Sequence, residues 1–169
     1  MLNGQTMDAV CGVEGVWRME AKIPIRRYSW PAFWLGSDQD GEIDIVEWYG
    51  NGSWPAATTV HAKANGSEWK THNLTLDSGW HTWRTQWDDK GIRFWRDYTD
   101  GAAPYFDVPA NSLADWPFNN PGHKAFAVLN LAVAGDWPGQ TVDESKLPAA
   151  MYVDYVRVYQ KTTATSSVT

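Results

Sequence analysis

Apolar and polar residues alternate with a period of two along much of this chain. Trp17, Met19, Ala21 and Ile23 interleave with Arg18, Glu20 and Lys22, the pattern of a strand with one face in a core. Trp83, Thr85 and Trp87 lead into Asp88-Asp89-Lys90-Gly91 and out through Ile92-Arg93-Phe94-Trp95, which predicts a hairpin. Ala125 to Val133 and Tyr152 to Tyr159 read as buried strands. Clusters at Asn51-Gly52, Asn65-Gly66, Asn119-Asn120-Pro121-Gly122 and Trp137-Pro138-Gly139 punctuate these runs as turns. No stretch keeps a helical period; Asn111 to Trp116 is long enough for one short turn. Many short strands between frequent turns predict an all-β sandwich of two antiparallel sheets. One domain over 1–161 is expected, followed by a Ser/Thr-rich, disordered tail over 162–169.

One predicted strand breaks the pattern. In Glu42-Ile43-Asp44-Ile45-Val46-Glu47 three carboxylates interleave with β-branched residues, although Asp and Glu are poor strand formers. Alternation places Glu42 and Asp44 on one face and would send Glu47 into the core with the isoleucines. A buried, unpaired carboxylate there would be very costly. A one-residue β-bulge at Ile45–Val46 removes the conflict and returns Glu47 to the acid face. Two carboxyls flanking one bond are the machinery of glycoside hydrolysis, with retention requiring them about 5–5.5 Å apart. Four effective strand steps separate the Glu42 and Glu47 α-carbons by roughly 13 Å, so both side chains must lean inward over the shorter Asp44. Crowding makes the three titrate as a coupled set in which at least one pKa rises. The bland reading, a solvated acidic face or a cation site, fits less well: an EF-hand pattern is missing and a solvated face would mix both signs of charge.

The chain has 169 residues, 43% of them hydrophobic, enough for one domain with its own core. Net charge is −6 and pI about 5.1, which argues against nucleic acid or an anionic membrane as partner and favours a neutral polysaccharide over a polyanionic one. Cys11 is the single cysteine, so no intrachain disulfide exists, and it reads as a small core or surface residue. His72, His81 and His123 lack zinc-ligand spacing and read as structural. Twelve tryptophans exceed core needs. Trp83, Trp87 and Trp95 read as core; Trp30, Trp34, Trp48, Trp54 and Trp137, near the acids or in loops, suit a surface that stacks on sugar rings.

The acid strand resembles the active-site signature of glycoside hydrolase family 16 in its bulged, laminarinase-like form. Val16 to Ile23, Trp30-Pro31-Ala32-Phe33-Trp34-Leu35, Thr59-Val60-His61, Asn130 to Gly139 and Tyr152 to Tyr159 resemble further blocks of that family, in its order. The resemblance implies a concanavalin-like jelly roll with a concave cleft. It implies a retaining, endo-acting hydrolase of β-glucan, most of all β-1,3-linked laminarin-type glucan, working without a cofactor. Glu42 would be the nucleophile, Glu47 the acid/base, and Asp44 would hydrogen-bond Glu42 and tune the pair. Trp30, Trp34 and Trp137 would line sugar subsites, and His61 would sit near the leaving-group side. Asn130 reads as a buried residue bonded to backbone. Family members carry several dozen more residues ahead of Val16, so the N-terminal strands are expected to be missing here. The structural calcium site is partly built from that region. Only Asp154 resembles one of its ligands, and no metal is expected. The family implies an extracellular protein, although Met1 to Gln5 lack a signal-peptide pattern. A monomer is expected unless an open sheet edge associates with a partner. The alternative is a lectin-like glucan-binding module with impaired catalysis.

Overall fold

The computed structural model describes residues 7–11, 15–37, 39–63, 67–139 and 141–160. They form eleven strands: β1 Met7–Cys11, β2 Gly15–Lys22, β3 Ser29–Ser37, β4 Glu42–Glu47, β5 Ala56–His61, β6 Trp69–Leu74, β7 His81–Asp88, β8 Gly91–Arg96, β9 Phe106–Pro109, β10 Ala125–Val133 and β11 Tyr152–Gln160. Two three-residue 3₁₀ turns, Pro117–Asn119 and Glu144–Lys146, are the helical elements among the described residues. A six-stranded sheet runs β1-β10-β3-β4-β5-β6 and a five-stranded sheet β11-β2-β7-β8-β9, all pairs antiparallel. The N-terminal segment 1–6, the side chain of Cys11, the Asn65-Gly66 turn and the tail 162–169 lie outside what is described.

The alternation expected of β2 holds. Trp17, Met19 and Ala21 are fully buried and meet Phe33 and Leu35 of β3, Ile43, Ile45 and Val46 of β4, and Trp83 and Trp87 of β7 in one core between the sheets. The hairpin also forms, with Asp88 paired to Gly91 across a two-residue turn. Trp95 is buried too, at 8% exposure.

Two strands differ from expectation. β10 is buried only at Ala125 and Ala127, and its end at Val133 is exposed. β11 is not buried: Tyr152, Val153 and Tyr159 are exposed, and only Val156 and Val158 pack against the core. It pairs with β2 alone and forms the edge of its sheet. Its apolar alternation specifies a strand, but the number of neighbours a strand acquires is set by topology.

Candidate active site

The site lies on β4, the fourth strand of the six-stranded sheet, between β3 and β5. On β3, Trp34 pairs with Asp44 and Phe33 with Val46, leaving Ile45 without an opposite residue. On β5, Thr59 faces Asp44 and Ala57 faces Glu47, so three steps on β4 match two on its neighbour. This is the bulge expected at Ile45–Val46. Its consequence is that Ile45 and Val46, adjacent in sequence, are both fully buried, while Glu42 and Glu47 are half-buried. Glu42, Asp44 and Glu47 line one cleft of about 370 Å³ together with Trp30, Ala32, Trp34 and Asn130.

β3 alternates between the cleft and the core. Trp30, Ala32 and Trp34 line the cleft, while Phe33 and Leu35 lie in the core. Trp30 Nε1 donates to Glu47 Oε1 at 2.7 Å, and Trp34 Nε1 donates to Asn130 Oδ1 at 2.9 Å. Asn130 Nδ2 donates to the Trp30 carbonyl at 3.3 Å. Asn130 therefore bonds backbone, as expected, but also lines the cleft and orients the Trp34 ring. Gly135, at φ 134°, closes over Trp30; a Cβ there would approach its ring to 3.0 Å.

His61 is paired in register with Glu42. Its Nε2 lies 3.0 Å from Asp44 Oδ2 and 3.9 Å from Glu42 Oε1. It therefore stands against Glu42 and Asp44, not beside Glu47, and it is the hydrogen-bond partner the structure gives Asp44. Glu42, Asp44 and His61 each bring one donor atom within 4.8 Å of one another, a set that could hold a cation. Trp137 lies outside the cleft-lining group, 68% exposed. It is tilted against Trp54 with ring centroids 5.7 Å apart, and Trp54 meets Tyr49 edge-on at 5.3 Å. Asn51 ties this group together: its Nδ2 donates to the Pro138 carbonyl and its Oδ1 accepts from the Ser53 and Trp54 amides.

Tyr49 is the residue that sequence reasoning missed. Its hydroxyl hydrogen-bonds Glu47. It reaches back because the chain turns at Gly50, whose φ of 62° and close approach to the Ser29 carbonyl leave no room for a side chain. The usable signal was Tyr-Gly one residue beyond the acid strand.

Burial dominates the electrostatics. Desolvation, then the charge of Asp44, pushes Glu42 up to about 7, with His61 opposing. Desolvation raises Asp44 to about 6, against the hydrogen bond from His61. Glu47 is also raised by burial, against the hydrogen bonds from Trp30 and Tyr49. Burial disfavours the His61 imidazolium, but the hydrogen bond and charge of Asp44, with Glu42 and Glu47, more than offset it, and the net shift is upward. Burial and the Glu47 charge push the Tyr49 phenol far up, so it acts as a donor. Trp30→Phe or Tyr49→Phe each removes a donor that stabilises the Glu47 carboxylate. Each is expected to raise the Glu47 pKa further, read by carbon NMR titration of its side-chain carboxyl; an unmoved pKa would contradict this hydrogen-bond frame.

Residues 13–157 match the family described as Glycosyl hydrolases family 16, and the chain belongs to that family. A β-glucanase of Rhodothermus marinus is 32% identical over 86% of this chain and 57% of its own length. A β-1,3-glucanase structure from Mycobacterium marinum is 58% identical, superposing with a TM-score of 0.85 over 91% of this chain and 66% of its own. A Mycobacterium tuberculosis structure described as an immunostimulatory antigen and pseudo β-1,3-glucanase is 42% identical, with a TM-score of 0.83 over 93% of this chain and 68% of its own. The chain thus spans less than two thirds of the length of the first two.

Proposed function

We propose that this chain is a retaining, endo-acting hydrolase of neutral β-glucan, with β-1,3-linked glucan as its main substrate. The observation that carries the reading is the bulge in β4, which turns Glu47 into the same cleft as Glu42 and Asp44. Glu42 attacks the anomeric carbon while Glu47 protonates the departing glycosidic oxygen. The glycosyl ester on Glu42 is then opened by water that Glu47 deprotonates. Three crowded carboxyls beside an imidazole hold shared protons near neutral pH. His61 flanks Glu42 and favours its charged form at the moment of attack, against the charge of Asp44, whereas Glu47 is held by two donors on the far side of the trio. Trp30 and Trp34 supply ring faces for sugar, and Trp137 with Trp54 extends that surface beyond the cleft. No cofactor enters these steps. The protein acts as a monomer outside the cell, where such polymers are met.

The M. marinum β-1,3-glucanase favours this linkage. The pseudo β-1,3-glucanase of M. tuberculosis favours a second reading, a glucan binder without turnover. Incubation with laminarin and with mixed-linkage glucan, followed by reducing-end and proton NMR assays, separates them. Hydrolysis is expected to be faster on laminarin, with the β-anomer appearing first. Binding without product would establish the second reading, and first appearance of the α-anomer would remove retention.

A further inference from the structure

On the outer face of the five-stranded sheet the strand register aligns three arginines. Arg157 of β11 is paired with Arg18 of β2, and Arg18 with Arg84 of β7. All three point away from the core: the alternate residues Trp17, Met19 and Trp83 fill it, and Val156 and Val158 pack against it. Adjacent strands are about 4.8 Å apart, and like charges directly opposite one another destabilise a sheet. Among the described residues no carboxylate pairs with any of the three, whereas Arg93 on the same face is bonded to Asp88.

Aromatic rings hold the row in place. Tyr155 lies under both Arg157, at 4.3 Å from guanidinium carbon to ring centroid, and Arg18, at 5.6 Å. Arg84 lies over Tyr98 at 3.9 Å and Trp95 at 5.1 Å. Stacking uses the faces of the guanidinium planes and leaves the in-plane N–H groups as donors. Those donors are almost unused. Arg84 gives one long bond of 3.4 Å to Gln86, and the Nε atoms of Arg18 and Arg84 are buried without a partner. Beside the row, Val16, Gln86 and Tyr159 line a hollow of about 600 Å³ whose wall also carries Asp88, Asp89 and Lys90, larger than the cleft over the acids.

We propose that this face is a second carbohydrate site, separate from the cleft, that binds an acidic oligosaccharide through its carboxylates. A row of planar, preoriented guanidinium forks matches planar carboxylates. The exposed ring of Tyr159 and the half-exposed ring of Tyr155 offer stacking surfaces for the sugars between them. The protein's net charge of −6 opposes long duplexes and anionic membranes, which feel the whole field. A short uronate chain feels mainly the local row; the acids on this face of β2 and β7 are Glu20 and Asp88, and Asp88 is already bonded to Arg93.

The probe is an oligogalacturonate, titrated calorimetrically into the intact chain at low salt. Binding is expected to weaken about tenfold in Arg157→Gln, the loss of one charge-assisted contact. It is expected to vanish in Arg18→Gln/Arg157→Gln, to fall with added salt, and to survive Trp34→Ala. Arg157 is exposed on an edge strand, so its variant should melt as the wild type does, and that measurement is independent of any glucanase activity. No binding at low salt, equal binding by wild type and Arg157→Gln, loss in Trp34→Ala, or a single-stranded oligonucleotide bound as tightly would each overturn the proposal. The last outcome would mark unselective attraction of polyanions.

Discussion

Glu42→Gln is expected to lower laminarin hydrolysis by about a thousandfold and, above neutral pH, to raise the melting temperature. The two effects share one origin. The Glu42 carboxyl is raised from 4.5 to about 7, first by burial and then by Asp44. A carboxyl whose folded pKa exceeds its unfolded value binds more protons in the native state. Its contribution is therefore full below about 4.5 and is lost as pH climbs through 7. Asp44 and Glu47 are raised by burial and act in the same sense. His61, raised in net, also favours the folded state at low pH and loses that contribution as it deprotonates. Stability should then decline from mildly acidic to mildly alkaline pH. Glutamine at position 42 removes part of the decline, so the variant and wild type should diverge above pH 7 and converge near pH 4. The Glu42 side chain is 40% exposed, so screening keeps the gain small, a matter of a few degrees. Scanning calorimetry across this range, beside reducing-end assays, checks both halves. A variant within tenfold of wild-type activity would remove Glu42 from the reaction.

The second large effect concerns the support beneath the cleft. Phe33 is fully buried, lies between the cleft residues Ala32 and Trp34 in sequence, and pairs with Val46 at the bulge. Phe33→Ala should cost about 3–5 kcal/mol through lost burial and a residual cavity, lowering the melting temperature by about 10 °C in a domain of this size. Denaturant unfolding gives the value directly. A loss under about 1 kcal/mol would mean that the core collapses around the gap and that the bulge does not depend on this ring.

These two residues also mark how far the sequence could be read. The bulge was legible because Ile45-Val46 is the single place in the acid strand where alternation fails, and burying Glu47 was the costly alternative. The faces of β2 and β3 were legible for the same reason: a period of two assigns every side chain once one is known to be inside. The six-stranded order was not, because nothing in Ala125 to Val133 says that β10 inserts between β1 and β3. β11 misled for a related reason, since a row of Val and Tyr specifies a strand but not whether a second neighbour covers it. His61 was found, and the register with Glu42 shows which acids it stands against. Tyr49 escaped because its reach depends on a left-handed glycine beyond the strand, a conformation with no local periodicity. Asn130 was half legible: its backbone bond was foreseen and its hold on Trp34 was not.

The extra residue in β4 has a corollary for the length of the strand. Removing either Ile45 or Val46 leaves Glu-Ile-Asp-aliphatic-Glu, a plain alternation in which all three acids still share a face. The shared face of the three acids thus survives gain or loss of one codon between Asp44 and Glu47. The shorter strand would differ in how the last acid leans and in how many aliphatic groups sit behind it.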